Sequence, residues 1–312
     1  MSSDSVLIDI VGAGGLGVPA AWGLLELWNG PLPLSVRIYD ADVVQVSNLH
    51  RQTLYETKHI GEPKALVLAE RLNARAKSAQ IKFSGFNVEV GKNNIPALLS
   101  DSSLVLEASD SVETKFLVND FCCSEGISFC YAGAVGYEGQ LLFVKPSEVI
   151  CGCLRCLFRE FSETDEACLG PTCRQAGILG PIVGEIGFLQ AELACLYLRG
   201  ELALETGSFF YRHERGENIS RIKRDPQCPL HRETPLKRLD LRERKCPSTY
   251  LYTKLAIDRL PQGEILAVEF GNLESAKNVS LSVIEEGHHI VASARQTEES
   301  VWELIVRRGK HD

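Results

Sequence analysis

Basic charge is the first thing this sequence of 312 residues is short of: 33 Lys and Arg stand against 41 Asp and Glu, a formal net charge of -8. A domain that wraps nucleic acid usually shows a basic excess, so nucleic acid is excluded as the main partner, while small acidic ligands at local sites stay open. Long apolar runs are also missing: none reaches 18 residues, so neither a membrane span nor a membrane partner is expected. The start, M-S-S-D-S, has no basic region and no cleavage-like site ahead of the first strand, and the chain is expected to be cytoplasmic. Internal repeats and low-complexity tracts are absent too. Cysteine, by contrast, is plentiful. Eleven thiols in a cytoplasmic chain of this size point to metal ligands or reactive cysteines before disulfides.

The length suits one large domain or two, and two is the expectation. Apolar runs predict strands at Val6 to Val11, Val36 to Tyr39, Ile81 to Val90 and Leu104 to Ala108. Helices are predicted between them, from Val18 to Trp28, from Lys64 through about Ala76, and from Thr114 to Ser124. From Ile127 the pattern changes to strands at Ile127 to Ala134 and Gly139 to Val144 with no crossover helix between. A long helix follows at Pro181 to Arg199, then strands around Phe209 and Ile219. After the polar segment Arg232 to Arg238 comes a β-α-β-α-β-β pattern, with strands at Leu239, Ile265 to Phe270, Ile290 to Arg295 and Val301 to Val306, and helices at Pro247 to Leu260 and Glu274 to Glu286. The domain boundary is placed near Pro235, giving units 1–234 and 235–312.

Chemistry enters where the first strand runs into G-A-G-G-L-G. Gly12, Gly14 and Gly17 satisfy G-x-G-x-x-G, and Asp40 follows at the distance at which a carboxylate meets a ribose hydroxyl in a dinucleotide fold. That much fits a nicotinamide oxidoreductase equally well. The next residues lean toward a triphosphate, because S-N-L-H-R-Q at Ser47 to Gln52 and G-E-P-K-A at Gly61 to Ala65 place Asn48, Arg51 and Lys64 close together. Asp110 follows another strand on the same rim, where it could hold Mg²⁺ or cap the helix after it.

Together, G-A-G-G-L-G, D-A-D-V-V-Q-V-S-N-L-H-R-Q, G-E-P-K-A and S-D resemble the E1-like adenylating family, the ThiF, MoeB and HesA group, over roughly Val6 to His231. The resemblance implies an α/β, Rossmann-like domain that uses ATP to adenylate the C-terminal glycine of a ubiquitin-like sulfur carrier ending in Gly-Gly. It also implies a homodimer. Gly12, Gly14, Gly15, Gly17, Asp40, Asp42, Asn48, Arg51, Lys64 and Asp110 are the implied nucleotide contacts, Asp40 on the ribose, Asn48, Arg51 and Lys64 on the phosphates, and Asp110 acting with Mg²⁺. Ser111 stands where the family commonly has Asn. No arginine precedes the first strand, where members usually carry one in an added helix.

Cys153-Leu-Arg-Cys156 and Cys228-Pro-Leu-His231 make a C-x-x-C and a C-x-x-H, the spacing that supplies four tetrahedral ligands to a structural zinc. Cys151 adjoins the first pair and could compete. The resemblance implies a role for Cys173, since some members link the cysteine before the long helix covalently to the carrier; Cys168 shares its loop, and Cys122, Cys123, Cys130 and Cys195 read as core. In the C-terminal unit Cys246 stands before Pro247 at a helix start, beside Arg244 and Lys245, all of which favour its thiolate. That unit resembles the TusA or SirA sulfur-relay family, whose cysteine carries a persulfide, with Thr249 in place of the second proline of C-P-x-P. The implied partner is a cysteine desulfurase or another persulfide donor. Arg232 to Arg238 spans at most about 25 Å, so no long swinging arm is available to Cys246. The expected function is therefore adenylation followed by sulfur transfer, with a non-catalytic scaffold as the alternative from another class.

Overall fold

The computed structural model describes residues 5–78, 80–148, 151–158, 179–202, 208–213, 216–225, 227–230, 237–244, 248–261, 264–298 and 301–309. Cys168, Cys173, His231, Lys245, Cys246 and Pro247 lie outside the described residues. The chain divides into two compact units, Met1–Leu230 and His231–Asp312.

Among the described residues, the first unit is built on an eight-stranded sheet. Its strands are β1 (Val6–Val11), β2 (Leu34–Tyr39), β3 (Ile81–Phe86), β4 (Leu104–Glu107), β5 (Phe129–Val135), β6 (Glu138–Val144), β7 (Ser208–His213) and β8 (Gly216–Arg221), in the order β3-β2-β1-β4-β5-β6-β7-β8. The run from β3 to β5 is parallel, and the rest is antiparallel. Parallel strands need crossovers, which α1 (Gly17–Leu27), α2 (Lys64–Asn73), the short α3 (Ile95–Leu99) and α4 (Val112–Glu125) provide. The change at Ile127 is real: β5 returns directly as β6 through a turn with Gly136 at φ 56°.

Several boundaries move, two of them in the first unit by three residues or more. Helix α2 stops at Asn73, short of Ala76, because the Asn73 carboxamide bonds both ways to Phe83 on β3, donating to its carbonyl at 2.8 Å and accepting its N–H at 2.9 Å. The third strand ends at Phe86. Two short helices, Ile95–Leu99 and α5 (Leu154–Leu157), were too brief to leave a periodic signal.

Helix α6 (Gly180–Leu198) has the length and mean hydropathy of a membrane span. Its environment is that of a core helix. Val183, Ile186, Ala191 and Ala194 are buried in the cluster that holds Leu24 of α1 and Phe143 of β6. Gln190 on the same face donates to the carbonyls of Cys130 at 2.7 Å and Glu107 at 3.1 Å, a pairing a lipid-facing helix could not make.

The second unit carries the expected order: β9 (Lys237–Leu241), α7 (Ser248–Asp258), β10 (Ile265–Phe270), α8 (Leu273–Glu285), β11 (His289–Glu298) and β12 (Val301–Arg307). Its four strands lie in the order β11-β12-β10-β9, with β9 and β10 parallel and the other pairs antiparallel. Leu266, Val268, Phe270, Leu304 and Val306 alternate along β10 and β12 and pack with Ile257, Ala276, Val279 and Val283 of the helices. Asn272 caps α8 by accepting the Ser275 N–H at 2.8 Å.

Candidate functional site

The nucleotide candidates gather because β2, β1 and β4 are adjacent and parallel. Val11 is in register with Tyr39 on one side and Glu107 on the other, so the glycine turn, Asp40 and the Ser109–Ser111 loop leave the sheet on one rim, where ligands of open α/β sheets bind. The turn is locally compulsory: Gly12 has φ 105° and faces the Ala108 carbonyl, and a Cβ on Gly17 would overlap the Gly12 carbonyl oxygen. Gly15 packs against Val183 at the start of α6.

Asp40 organises the rim. Its Oδ2 accepts the Ala13 N–H and its Oδ1 the Asp42 N–H, both at 2.7 Å. Burial raises its pKa, while the Ala13 and Asp42 amides and the Lys64 charge oppose that rise. Lys64, the first residue of α2, is buried at 5% exposure. Its Nζ pairs with Asp42 Oδ2 at 2.7 Å, and its N–H bonds to the Asp42 carbonyl at 2.9 Å. Arg51 and Asn48 come together on the preceding loop, with Arg51 Nη2 donating to Asn48 Oδ1 at 3.0 Å. Asp110 is exposed, and no hydrogen bond to its side chain is found among the described residues. The helix cap that it might have provided is instead Ser111, which accepts the Thr114 N–H at 3.2 Å and leaves the Asp110 carboxylate available.

Two features of this rim were not anticipated. Tyr55, buried, donates its hydroxyl to the Ala13 carbonyl at 2.8 Å and the Lys64 carbonyl at 3.2 Å. Burial raises the phenol's pKa, so it stays protonated and stitches the glycine turn to the start of α2. Beneath the Asp110 loop lies Glu107, fully buried, which accepts the Ser109 N–H at 2.9 Å and the Ser109 hydroxyl. Its counter-charge is Lys115, whose Nζ lies 2.6 Å from Glu107 Oε2 and 2.7 Å from the Ala132 carbonyl. Burial raises the Glu107 pKa and Lys115 opposes it. Removing one partner of a buried pair strands the other, so Lys115→Met should cost about 3 kcal/mol in urea unfolding; a cost near zero would show that the pair is not shaping this loop.

The cysteines sort by geometry. Cys153 Sγ is 3.8 Å from both Cys156 Sγ and Cys228 Sγ, and all three sulfurs lie within 4.8 Å of one another, as ligands of one metal ion would. The Asp225 N–H points at Cys156 Sγ from 3.3 Å, and the Asn119 carboxamide accepts the Leu154 N–H at 2.8 Å, fixing the turn that carries the pair. Cys151 is outside the trio; its sulfur accepts the Lys145 N–H at 3.3 Å instead. Cys122, Cys130 and Cys195 are buried, as read, and Cys123, half-buried, packs against the same core cluster as Cys122. The neighbouring sulfurs raise the pKa of the Cys153 thiol, and the contact with Cys153 raises that of Cys228. Three sulfurs this close become thiolates together only with a cation among them.

Residues 3–230 match the ThiF family. The chain belongs to that family. Among the relatives of this ThiF-family chain is the "Sulfur carrier protein adenylyltransferase" of Thermus thermophilus, 32% identical over 73% of this chain and 83% of that protein. The "SAMP-activating enzyme E1" of Haloferax volcanii is 31% identical over 71% of this chain and 78% of its own length. The "Adenylyltransferase and sulfurtransferase MOCS3" of Caenorhabditis briggsae is 34% identical over 72% of this chain, which spans 54% of that protein. In three dimensions the first unit's fold is like that of E. coli MccB crystallised with ATP, at a TM-score of 0.61 and 17% identity over 72% of this chain and 66% of that one.

Residues 237–308 match "Sulfurtransferase TusA". In this unit Arg244 stacks its guanidinium 4.2 Å from the centre of the Tyr252 ring, one turn into α7. Arg242 is held by Asp240 at 2.7 Å.

Proposed function

We propose that this ThiF-family enzyme adenylates the C-terminal glycine of a ubiquitin-like sulfur carrier ending in Gly-Gly, and then converts the activated carboxyl to a thiocarboxylate with sulfur from Cys246. A carboxylate oxygen is a poor leaving group and AMP a good one, which is why activation comes first. The observation that carries the reading is the joining of a glycine turn, the Asp40 carboxylate and the buried Lys64 ammonium on one strand-end rim, in a chain that also bears a TusA-type unit.

In this reading Asp40 holds the ribose, and the turn at the start of α1 offers backbone N–H groups to phosphate oxygens. Asn48, Arg51 and Lys64 neutralise the remaining phosphate charge, so the carrier carboxylate attacks the α-phosphorus and pyrophosphate leaves. Asp110 would hold Mg²⁺, which would spread the phosphate charge further; a single free carboxylate beside substrate phosphates suits that ion. Cys153, Cys156 and Cys228, with His231 as the fourth ligand, would hold a structural Zn²⁺. The persulfide comes from a cysteine desulfurase or another donor, and the functional unit is a homodimer. A cytoplasmic setting suits the free thiols of Cys122, Cys130 and Cys195.

The test is ATP–pyrophosphate exchange that depends on a Gly-Gly-ended carrier. The proposed enzyme exchanges label only with both present. A scaffold or a nicotinamide oxidoreductase is silent, and silence would sink the reading. The zinc is checked separately: Cys153→Ser should lose the metal by atomic emission and lower the thermal midpoint by about 10 °C. Wild-type protein that is metal-free with the same midpoint would remove zinc from the account.

A further inference from the structure

Cations run along β9 and the turn after it, and most of them are neutralised in place. Lys237 lies 2.9 Å from Glu264, Arg238 2.9 Å from Glu269, and Arg242 2.7 Å from Asp240. Arg244 is the exception, since among the described residues its guanidinium meets a ring and no carboxylate. Its place is fixed all the same. The Arg244 N–H closes the turn onto the Leu241 carbonyl at 3.0 Å, and the guanidinium carbon stands 4.2 Å from the centre of the Tyr252 ring. Both side chains are exposed.

A guanidinium set over an aromatic face keeps its five N–H donors free around its edge. Paired to a carboxylate, as Arg242 is, it would have much of that fork occupied. Held by a ring, it loses little freedom when an anion arrives, because the side chain is already in position. The arrangement suits an anion that presents two oxygens, and the sulfur-transfer step supplies one close by. Arg244 is two residues before Cys246, so their Cα atoms are at most about 7 Å apart. In a carrier acyl-adenylate the acyl carbon and the phosphorus are joined through one oxygen. A Cys246 sulfur that reaches the carbon therefore brings Arg244 to the phosphate.

We propose that Arg244, positioned by Tyr252, binds the phosphate of the carrier acyl-adenylate while sulfur is transferred. This rests on the sulfur-transfer reading of the chain. The persulfide anion forms its bond to the acyl carbon, the bond from that carbon to the bridging oxygen breaks, and AMP leaves with the electron pair, its phosphate passing from one negative charge to two. No proton, oxidant or reductant enters this step. The Arg244 contact strengthens as the second charge develops, and only an interaction that strengthens in this way speeds the step.

The experiment is single-turnover transfer by the full chain, its Cys246 loaded with inorganic polysulfide and the loading checked by mass spectrometry. Two acyl donors are compared, a Gly-Gly-ended carrier with ATP and the same carrier made as a C-terminal thioester, which has no phosphate. At saturating carrier Arg244→Met should slow transfer from the adenylate roughly 10- to 100-fold, the range of a hydrogen bond to a charged group, and match wild type on the thioester. Arg244→Lys should recover part of the rate and Tyr252→Leu should lose part of it. The Arg244→Met defect should persist as pH rises. Equal slowing on both donors, or a defect that vanishes at high pH, would place Arg244 on the sulfur and overturn the proposal. Weaker carrier binding with an unchanged transfer rate would also overturn it, making Arg244 a contact for an acidic carrier surface. If Arg244→Met does not fold, the same comparison with Arg244→Lys decides. If the wild type transfers sulfur and Arg244→Met keeps pace, this inference alone fails; if the wild type yields no thiocarboxylate, the reading of the chain fails first.

Discussion

Lys64→Ala should lower carrier-dependent ATP–pyrophosphate exchange by roughly 10²- to 10³-fold, the loss typical when one preorganised charge-stabilising donor is removed. The size follows from where the ammonium sits. It is buried at the first position of α2 and held by Asp42, whose carboxylate is itself 71% exposed, so the pair is built to bring a dehydrated charge to the edge of the rim. The fold should barely notice, because an ion pair with so exposed a partner contributes little stability. A fall in kcat larger than the rise in KM for ATP would place the interaction in the transition state. Lys64→Arg should recover only part of the activity, since a planar guanidinium does not replace a compact ammonium at a tight site. Exchange within a few-fold of wild type, by a well-folded Lys64→Ala protein, would remove Lys64 from the chemistry.

Cys246→Ala should separate the two half-reactions. Exchange should stay within about twofold of wild type, because adenylation uses no thiol, while thiocarboxylate on the carrier, read by mass spectrometry, should fall to background. The balance of the step explains why the loss is complete. The terminal sulfur of the Cys246 persulfide attacks the acyl carbon, AMP leaves with the bonding electrons, and an acyl disulfide joins carrier to enzyme. A dithiol reductant, itself oxidised to a disulfide, then cleaves the sulfur–sulfur bond, leaving thiocarboxylate on the carrier and a thiol at Cys246. Without that sulfur there is no acceptor, and water can only return the carrier carboxylate. Arg244, two residues before the cysteine in sequence, stacks over Tyr252. Wild-type thiocarboxylate yield from a persulfide donor by the Cys246→Ala protein would end the relay idea. Cys173→Ala run beside it tells whether the acyl group passes through a second thiol.

Much of this protein was legible in its sequence because its signals are local. The glycine turn needs glycine at Gly12 and Gly17 for steric reasons that hold in any neighbourhood, and apolar runs with period-matched helices between them announce parallel strands. The β-α-β-α-β-β order of the C-terminal unit, the C-x-x-C pair and the polar cluster from Asn48 to Lys64 are likewise written in consecutive residues.

The tertiary structure decided which of those residues meet. Asp40 could be expected to lie near the turn, but only the parallel register of β1 with β2 delivers its two oxygens to the Ala13 and Asp42 amides. Tyr55 carries no motif, yet its hydroxyl closes the rim by spanning the Ala13 and Lys64 carbonyls. Ser111 rather than Asp110 became the cap of α4. Spacing along the chain reports the faces and periods of single elements. The partner of a buried Glu107, or the sulfurs that meet Cys153, are set by strand order and helix packing, and those exist only once the whole sheet has formed.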